Sequence, residues 1–148
     1  MTESLQLVVR RVGRDIELRL DVPSALRYVG EAVELIAGAC RAGALPLRKI
    51  QFNLRTALAE ALANAIVYGN GANPAKRVHV RVELARDAIH IEVSDDGVGF
   101  DRAGLPDPTR PENLEREDGR GLFVIRHLVD HVTFNEKGNV ICLTLRAG

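Results

Sequence analysis

Tryptophan is missing from these 148 residues, methionine occurs once, and aromatic side chains amount to 4%. A core must therefore come from aliphatic residues, and a hydrophobic share of 46% is ample for one domain spanning residues 1–148. Cysteine is scarce as well. Cys40 and Cys142 are too few and too far apart for a disulfide framework or a cysteine-rich metal site, and both stand among apolar residues, so they read as buried core thiols. Neither sign of charge dominates: 20 Lys and Arg balance 20 Asp and Glu. Without a basic surplus to neutralise phosphates, DNA or RNA binding by charge is excluded. No apolar run reaches the length of a membrane span, and the opening MTESLQLVVRR carries no signal-peptide core. The expectation is a cytoplasmic chain with neither nucleic acid nor membrane as partner.

The most informative shortage is local. In "AEALANAIVYGN", residues 59 to 70, a helical pattern runs without the Lys, Arg and Glu of a surface helix, and Glu60 is the only charged residue between Thr56 and Ala75. On an α-helix, residues four apart share a ridge, which puts Glu60 beside Asn64. The apolar stripe Ile50, Leu54, Leu58, Leu62 and Ile66 is centred well round from that ridge, so neither polar group needs a place in the core. A solvated helix edge would explain one carboxylate, but not the lack of other charges near it. Asn53, Ala57, Glu60, Asn64 and Tyr68 make a small uncharged surface around a single carboxylate, which suits the floor of a pocket.

Elsewhere the pattern is regular. Leu5, Leu7 and Val9, then Ile16, Leu18 and Leu20, alternate with polar residues around Gly13-Arg14-Asp15 and predict a hairpin of two half-buried strands. A helix follows from about Ser24, with the stripe Leu26, Val29, Val33, Ile36 and Cys40, ending near Gly43; Pro46 opens the second helix. Val78 to Leu84 and Ile89 to Val93 alternate across the turn Arg86-Asp87. Residues 101 to 118 hold three prolines and nine charged residues, a polar loop long enough to be functional. A third helix runs from Gly119-Arg120-Gly121 to about Asp130, placing His127 and His131 on one helix face; without a third ligand that pair reads as surface, not metal site. Val132 to Leu145 make a last hairpin. Antiparallel strand pairs with three helices on one face define an α+β fold: a two-layer sandwich with a mixed, mostly antiparallel sheet.

Two glycine-rich turns complete the inventory. Asp95-Asp96-Gly97-Val98-Gly99 follows a strand, where glycine permits positive φ or close approach to a ligand; an ordinary Asp-Gly turn would look the same. Gly119-Arg120-Gly121 opens a helix, whose N-terminus attracts anions. E-x-x-x-N on a helix, D-x-G-x-G after a strand and G-x-G opening a helix after a polar loop, in that order, resemble the GHKL ATPase and kinase superfamily. Through "EALANAIVYGN", "VSDDGVGFD" and "GRGLFVIRHLVDHVTFNEKGN" the chain resembles more closely, over nearly its whole length, the anti-sigma-factor serine kinases of bacterial partner-switching systems.

That resemblance implies ATP and Mg²⁺ as cofactors. Asn64 becomes the metal ligand and Glu60 the catalytic base. Asp95 accepts from the adenine amino group, Gly97 and Gly99 let the chain turn beneath the base, Gly119, Arg120 and Gly121 meet the phosphates, and 101–118 is the ATP lid. It also implies a sigma factor or similar client, an antagonist STAS-domain protein phosphorylated on Ser or Thr, and a homodimer. The alternative is a nucleotide-gated protein-binding module of the same fold without phosphotransfer. There are departures. Tyr68 stands where the family often has His, and no role is assigned to it. Many relatives place Thr after the glycine of the last hairpin to support the adenine-binding Asp; here Asn139 and Val140 follow Gly138, so that support is missing or comes from elsewhere, Thr144 being the candidate. No histidine sits in a phosphoacceptor helix, so a complete sensor histidine kinase is not expected.

Overall fold

Six strands form where apolar and polar residues alternate: β1 (Val8–Val12), β2 (Asp15–Pro23), β3 (Arg77–Leu84), β4 (Ala88–Asp95), β5 (His131–Phe134) and β6 (Val140–Arg146). The computed structural model describes residues 4–97 and 117–148, with backbone alone for residues 117–120. The strands make one sheet in the order β1-β2-β3-β4-β6-β5, antiparallel at every pairing. Tight turns account for the local pairs. Gly13, at φ 62°, takes the first position of the two-residue loop between Val12 and Asp15, where hairpins of the II′ type need glycine.

Three helices, α1 (Val29–Cys40), α2 (Arg55–Asn64) and α3 (Glu117–Leu128), lie against one face of this sheet. Leu18, Leu20, Val22, Val78, Val80, Val82, Ile89, Ile91 and Val93 point into that layer and are buried. The next residues along each strand point the other way. Arg10, Glu17, Arg19, Arg81 and Glu92 form an ion-pair ladder there, and the hydrogen bond from Arg19 holds the Glu17 carboxyl below the usual carboxylate range.

Helix α2 is the backbone of the core. A strict four-residue spacing drifts by about 40° per step on a helix of 3.6 residues per turn. Left uncorrected, Ile66 would finish on the wrong side from Ile50. Wider turns closed by i→i+5 bonds, over Lys49–Leu54 and Ala65–Gly69, flank α2 and take up that drift. Ile50, Leu54, Leu58, Leu62 and Ile66 consequently share one side and are all at 2% exposure or less. A Leu58→Ala substitution is expected to cost about 3 kcal/mol through lost burial and the cavity left behind. Thermal denaturation should then show a melting temperature lower by roughly 10 °C; a shift of a degree or two would place Leu58 outside the core.

Several expectations give way here. Leu26 belongs to a 3₁₀ turn, Leu26–Tyr28, and is 56% exposed; the tighter turn sends Tyr28 inward in its place. Val9 lies on edge strand β1, every residue of which is exposed, while Leu5 before the strand is buried. Cys40 is fully buried, and burial pushes its thiol up to about 12, so it is chemically inert. Cys142 is not a core residue. Leu143 and Leu145 take the inward positions of β6, and the period of two turns Cys142 to the charged face. His131 is not on a helix: α3 ends at Leu128 and His131 starts β5, so His127 and His131 share no helix face. The His127 ring instead packs on Phe123, centroids 4.2 Å apart.

Candidate functional site

The ridge of α2 that carries Glu60 and Asn64 is partly covered. Helix α3 lies along it, antiparallel to α2. At one end the Asn53 amide donates to the carbonyl of Leu128, the last residue of α3 (2.9 Å). At the other, Gly121 of α3 faces both polar groups. A methyl at Gly121 would lie 3.0 Å from Asn64 Nδ2 and 3.1 Å from Glu60 Oε2. The missing side chain therefore lets α3 come close to a carboxylate and an amide that are each half-buried. Both offer oxygen, the donor type that Mg²⁺ selects. Among the described residues no group of three or more His, Cys, Asp or Glu converges to cage a metal. A cation beside Asn64 would thus need oxygens from a ligand and water, the usual situation of Mg²⁺ in phosphate-binding sites.

Asp95 ends β4 at the far side of the wide turn Ala65–Gly69. The two acids of "DDG" divide sharply. The Asp95 carboxylate accepts the Gly97 N–H (2.8 Å) and lies against Gly69, so close that a Cβ there would collide with its Oδ2. Burial raises its pKa, opposed by the Gly97 N–H. Asp96 turns to the scaffold. It accepts the Arg77 N–H (2.9 Å), which holds its carboxyl below the usual range, and its other oxygen meets His79 Nε2 (3.0 Å). His79 is bound at Nδ1 by Asp21 (2.7 Å); partial desolvation would lower its pKa, but the bonds to Asp21 and Asp96 outweigh this and raise it.

The last hairpin buttresses Asp95, though not through Thr144. Asp95 N–H donates to the Asn139 carbonyl (3.0 Å) and the Asn139 amide reaches the Asp95 carbonyl (3.4 Å). Thr144 is opposite His90 on the charged face and contacts its Nδ1 (3.2 Å), because the register of β4 with β6 sets these residues side by side, away from the helices. Asn139 can do this because Gly138, at φ 75°, turns the hairpin back and Asn135 holds Asn139 Oδ1.

The structure thus brings Glu60, Asn64 and Gly121 together, and Asp95 with Gly97 one turn further along. Helix α3 begins at Glu117, two residues before Gly119, so Gly119 and Arg120 fall in its first turn. Gly99 and residues 101–116 of the expected lid lie outside the described residues. Sequence reasoning missed Gly69. It reads as a helix terminator, and only the fold sets it against the Asp95 carboxylate. A Gly69→Ala variant should displace that carboxylate. Losing one charged hydrogen bond corresponds to roughly ten- to a hundredfold weaker ATP binding; titration calorimetry at equal affinity would show that the carboxylate has no part in binding.

Residues 22–145 match the model of the family described as the histidine kinase-like ATPase domain. The chain is 28% identical over 132 residues to the serine-protein kinase RsbW of Oceanobacillus iheyensis, covering 85% of this chain and 83% of that one. It is 30% identical over 137 residues to the serine-protein kinase RsbW of Staphylococcus aureus strain bovine RF122 / ET3-1, covering 87% and 84%. To the anti-sigma F factor of Oceanobacillus iheyensis it is 33% identical over 97 residues, 62% of this chain and 66% of the other. With the two-layer fold and the paired Glu60–Asn64 and Asp95 stations already in place, a match from the end of β2 through β6 has one meaning: the chain belongs to the family of histidine kinase-like ATPase domains.

Proposed function

We propose that this protein is an anti-sigma-type serine/threonine kinase: it binds ATP with Mg²⁺ in the cleft between α2, α3 and the end of β4, and transfers the γ-phosphoryl group to a Ser or Thr of a STAS-type antagonist. The observation that carries this reading is the close approach of Gly121 of α3 to Glu60 and Asn64 of α2, so tight that a methyl at Gly121 would lie 3.0 Å from Asn64 Nδ2 and 3.1 Å from Glu60 Oε2. The kinase and anti-sigma names of the similar proteins support it. In this reading Asn64 holds Mg²⁺ through its amide oxygen. The ion, when bound, neutralises charge on the phosphates. Asp95 accepts a hydrogen bond from the adenine amino group, which guanine lacks at that position. Gly119, Arg120 and Gly121 meet the phosphates near the start of α3, the end of a helix that favours anions. The Glu60 carboxylate takes the proton of the attacking hydroxyl, and the apolar neighbours Ala57, Ala61 and Leu62 leave no second charge on that part of α2 to compete with it.

Phosphorylation adds about two negative charges to the antagonist and so weakens its docking. Release of the antagonist leaves the protein free for a sigma factor or similar client. Among the described residues no helix is long and apolar enough to cross a membrane, and we place the exchange in the cytoplasm. Incubation with labelled ATP, Mg²⁺ and candidate antagonist domains should put label on a serine or threonine of one of them. ATP binding without label on any antagonist would favour the nucleotide-gated binding module; a chain that binds no Mg-ATP would overturn both readings.

A further inference from the structure

We infer that Asn70 is a positioning residue for nucleotide recognition, latching the Asp95–Gly97 loop to the end of helix α2; this rests on the proposed ATP site. Asn70 is 3% exposed and is one of few buried polar residues among those described. Its side chain ties its own segment to three others. Oδ1 accepts the N–H of Asp96 (2.9 Å). Nδ2 donates to Ser24 Oγ just beyond β2 (2.8 Å) and to the carbonyl of Arg77 at the start of β3 (2.9 Å), so both amide hydrogens are used. Ser24 Oγ in turn donates to the Lys76 carbonyl (2.9 Å).

The bond to Asp96 is the one that matters for the ligand. The Asp96 N–H belongs to the same peptide plane as the Asp95 carbonyl. Asn139 holds that residue from the other side, and Gly69, the neighbour of Asn70, packs on the carboxylate itself. Helix α2 thereby presents Asn64 and Glu60 at one end of the cleft, and Asn70, just past the wide turn that follows it, fixes Asp95 at the other. The turn that follows Asn70 is strained at Ala72, which has φ 54° without the freedom that Gly71 beside it has at φ 62°. Such a conformation persists where its surroundings over-determine it. Here Asn70 N–H bonds to the Ala65 carbonyl (2.9 Å) and Ala72 N–H to that of Ile66 (2.7 Å).

A buried amide that only satisfied the scaffold would affect stability alone. The test therefore reads base preference, as the ratio of Mg-ATP to Mg-GTP dissociation constants by calorimetry, beside the melting temperature. Asn70→Ala removes the latch. It should weaken ATP binding about tenfold and shrink the ATP preference by a similar factor, GTP binding being little changed. Asn70→Asp loses both donors but keeps an acceptor opposite the Asp96 N–H. It should melt at lower temperature yet retain the preference for ATP. An alanine variant with unchanged preference, an equal loss for both nucleotides, or an aspartate variant without preference would each overturn the latch. If the alanine variant does not fold, the aspartate variant decides alone. A wild-type chain that binds no Mg-ATP overturns the functional reading and this inference together, whereas wild-type binding with an unaffected alanine variant overturns only the latch.

Discussion

An Asn64→Ala variant is expected to lose Mg²⁺-dependent ATP binding while keeping its fold. Alanine is the better helix former, and Asn64 stands outside the buried stripe, so α2 itself should not weaken. What disappears is the amide oxygen that faces Gly121 beside Glu60. Outer-shell partners of metal ligands are typically worth ten- to a hundredfold in affinity. A direct ligand at a site with so few protein donors should be worth at least about a hundredfold. The measurement is a calorimetric titration of ATP with Mg²⁺ and again with chelator. Wild-type protein should show a large difference between the two, and the variant almost none. A variant that still gains affinity from Mg²⁺ would remove Asn64 from the metal site.

The second large effect is on transfer. Glu60→Gln keeps the volume and polarity of the side chain and removes its charge and basicity. Mg-ATP affinity should stay within a few-fold, because the proposed holders of the ion and the base are Asn64 and Asp95, and glutamine keeps an oxygen beside Asn64. Phosphotransfer to the antagonist should fall by roughly 10² to 10⁴, the usual contribution of a positioned general base. Single-turnover assays at saturating ATP separate the two quantities. Transfer at the wild-type rate would show that the attacking hydroxyl loses its proton without help from Glu60.

Much of the scaffold is legible before folding is considered. The stripe from Ile50 to Ile66 forces a long helix, and the alternation through Val78–Leu84 and Ile89–Val93 forces two strands across Arg86-Asp87. Both signals are periodic and repeat several times. The misreadings share a different character. Cys142, Leu26 and Val9 are apolar residues in apolar company, and their exposure depends on which side of a strand or turn the helical layer reaches. His131 depends on where α3 stops: the bend at Val129 and Asp130, held by the Asp130 N–H bond to the Thr144 carbonyl, ends it.

Chemistry follows the same division. Glu60 and Asn64 stand out as a lone carboxylate and amide among alanines, whereas Asp95 and the box glycines are singled out only by the resemblance to the GHKL superfamily, since an ordinary Asp-Gly turn looks the same. That Asp95 lies against Gly69 while Asp96 turns to Arg77 and His79, why Gly69 must lack a side chain, and that Asn139 supports Asp95 where Thr144 cannot, are decided only by three-dimensional contact. Periodicity is a local property written along the chain. A collision or a hydrogen bond between residues tens of positions apart exists only once strand register and helix packing have set their distance.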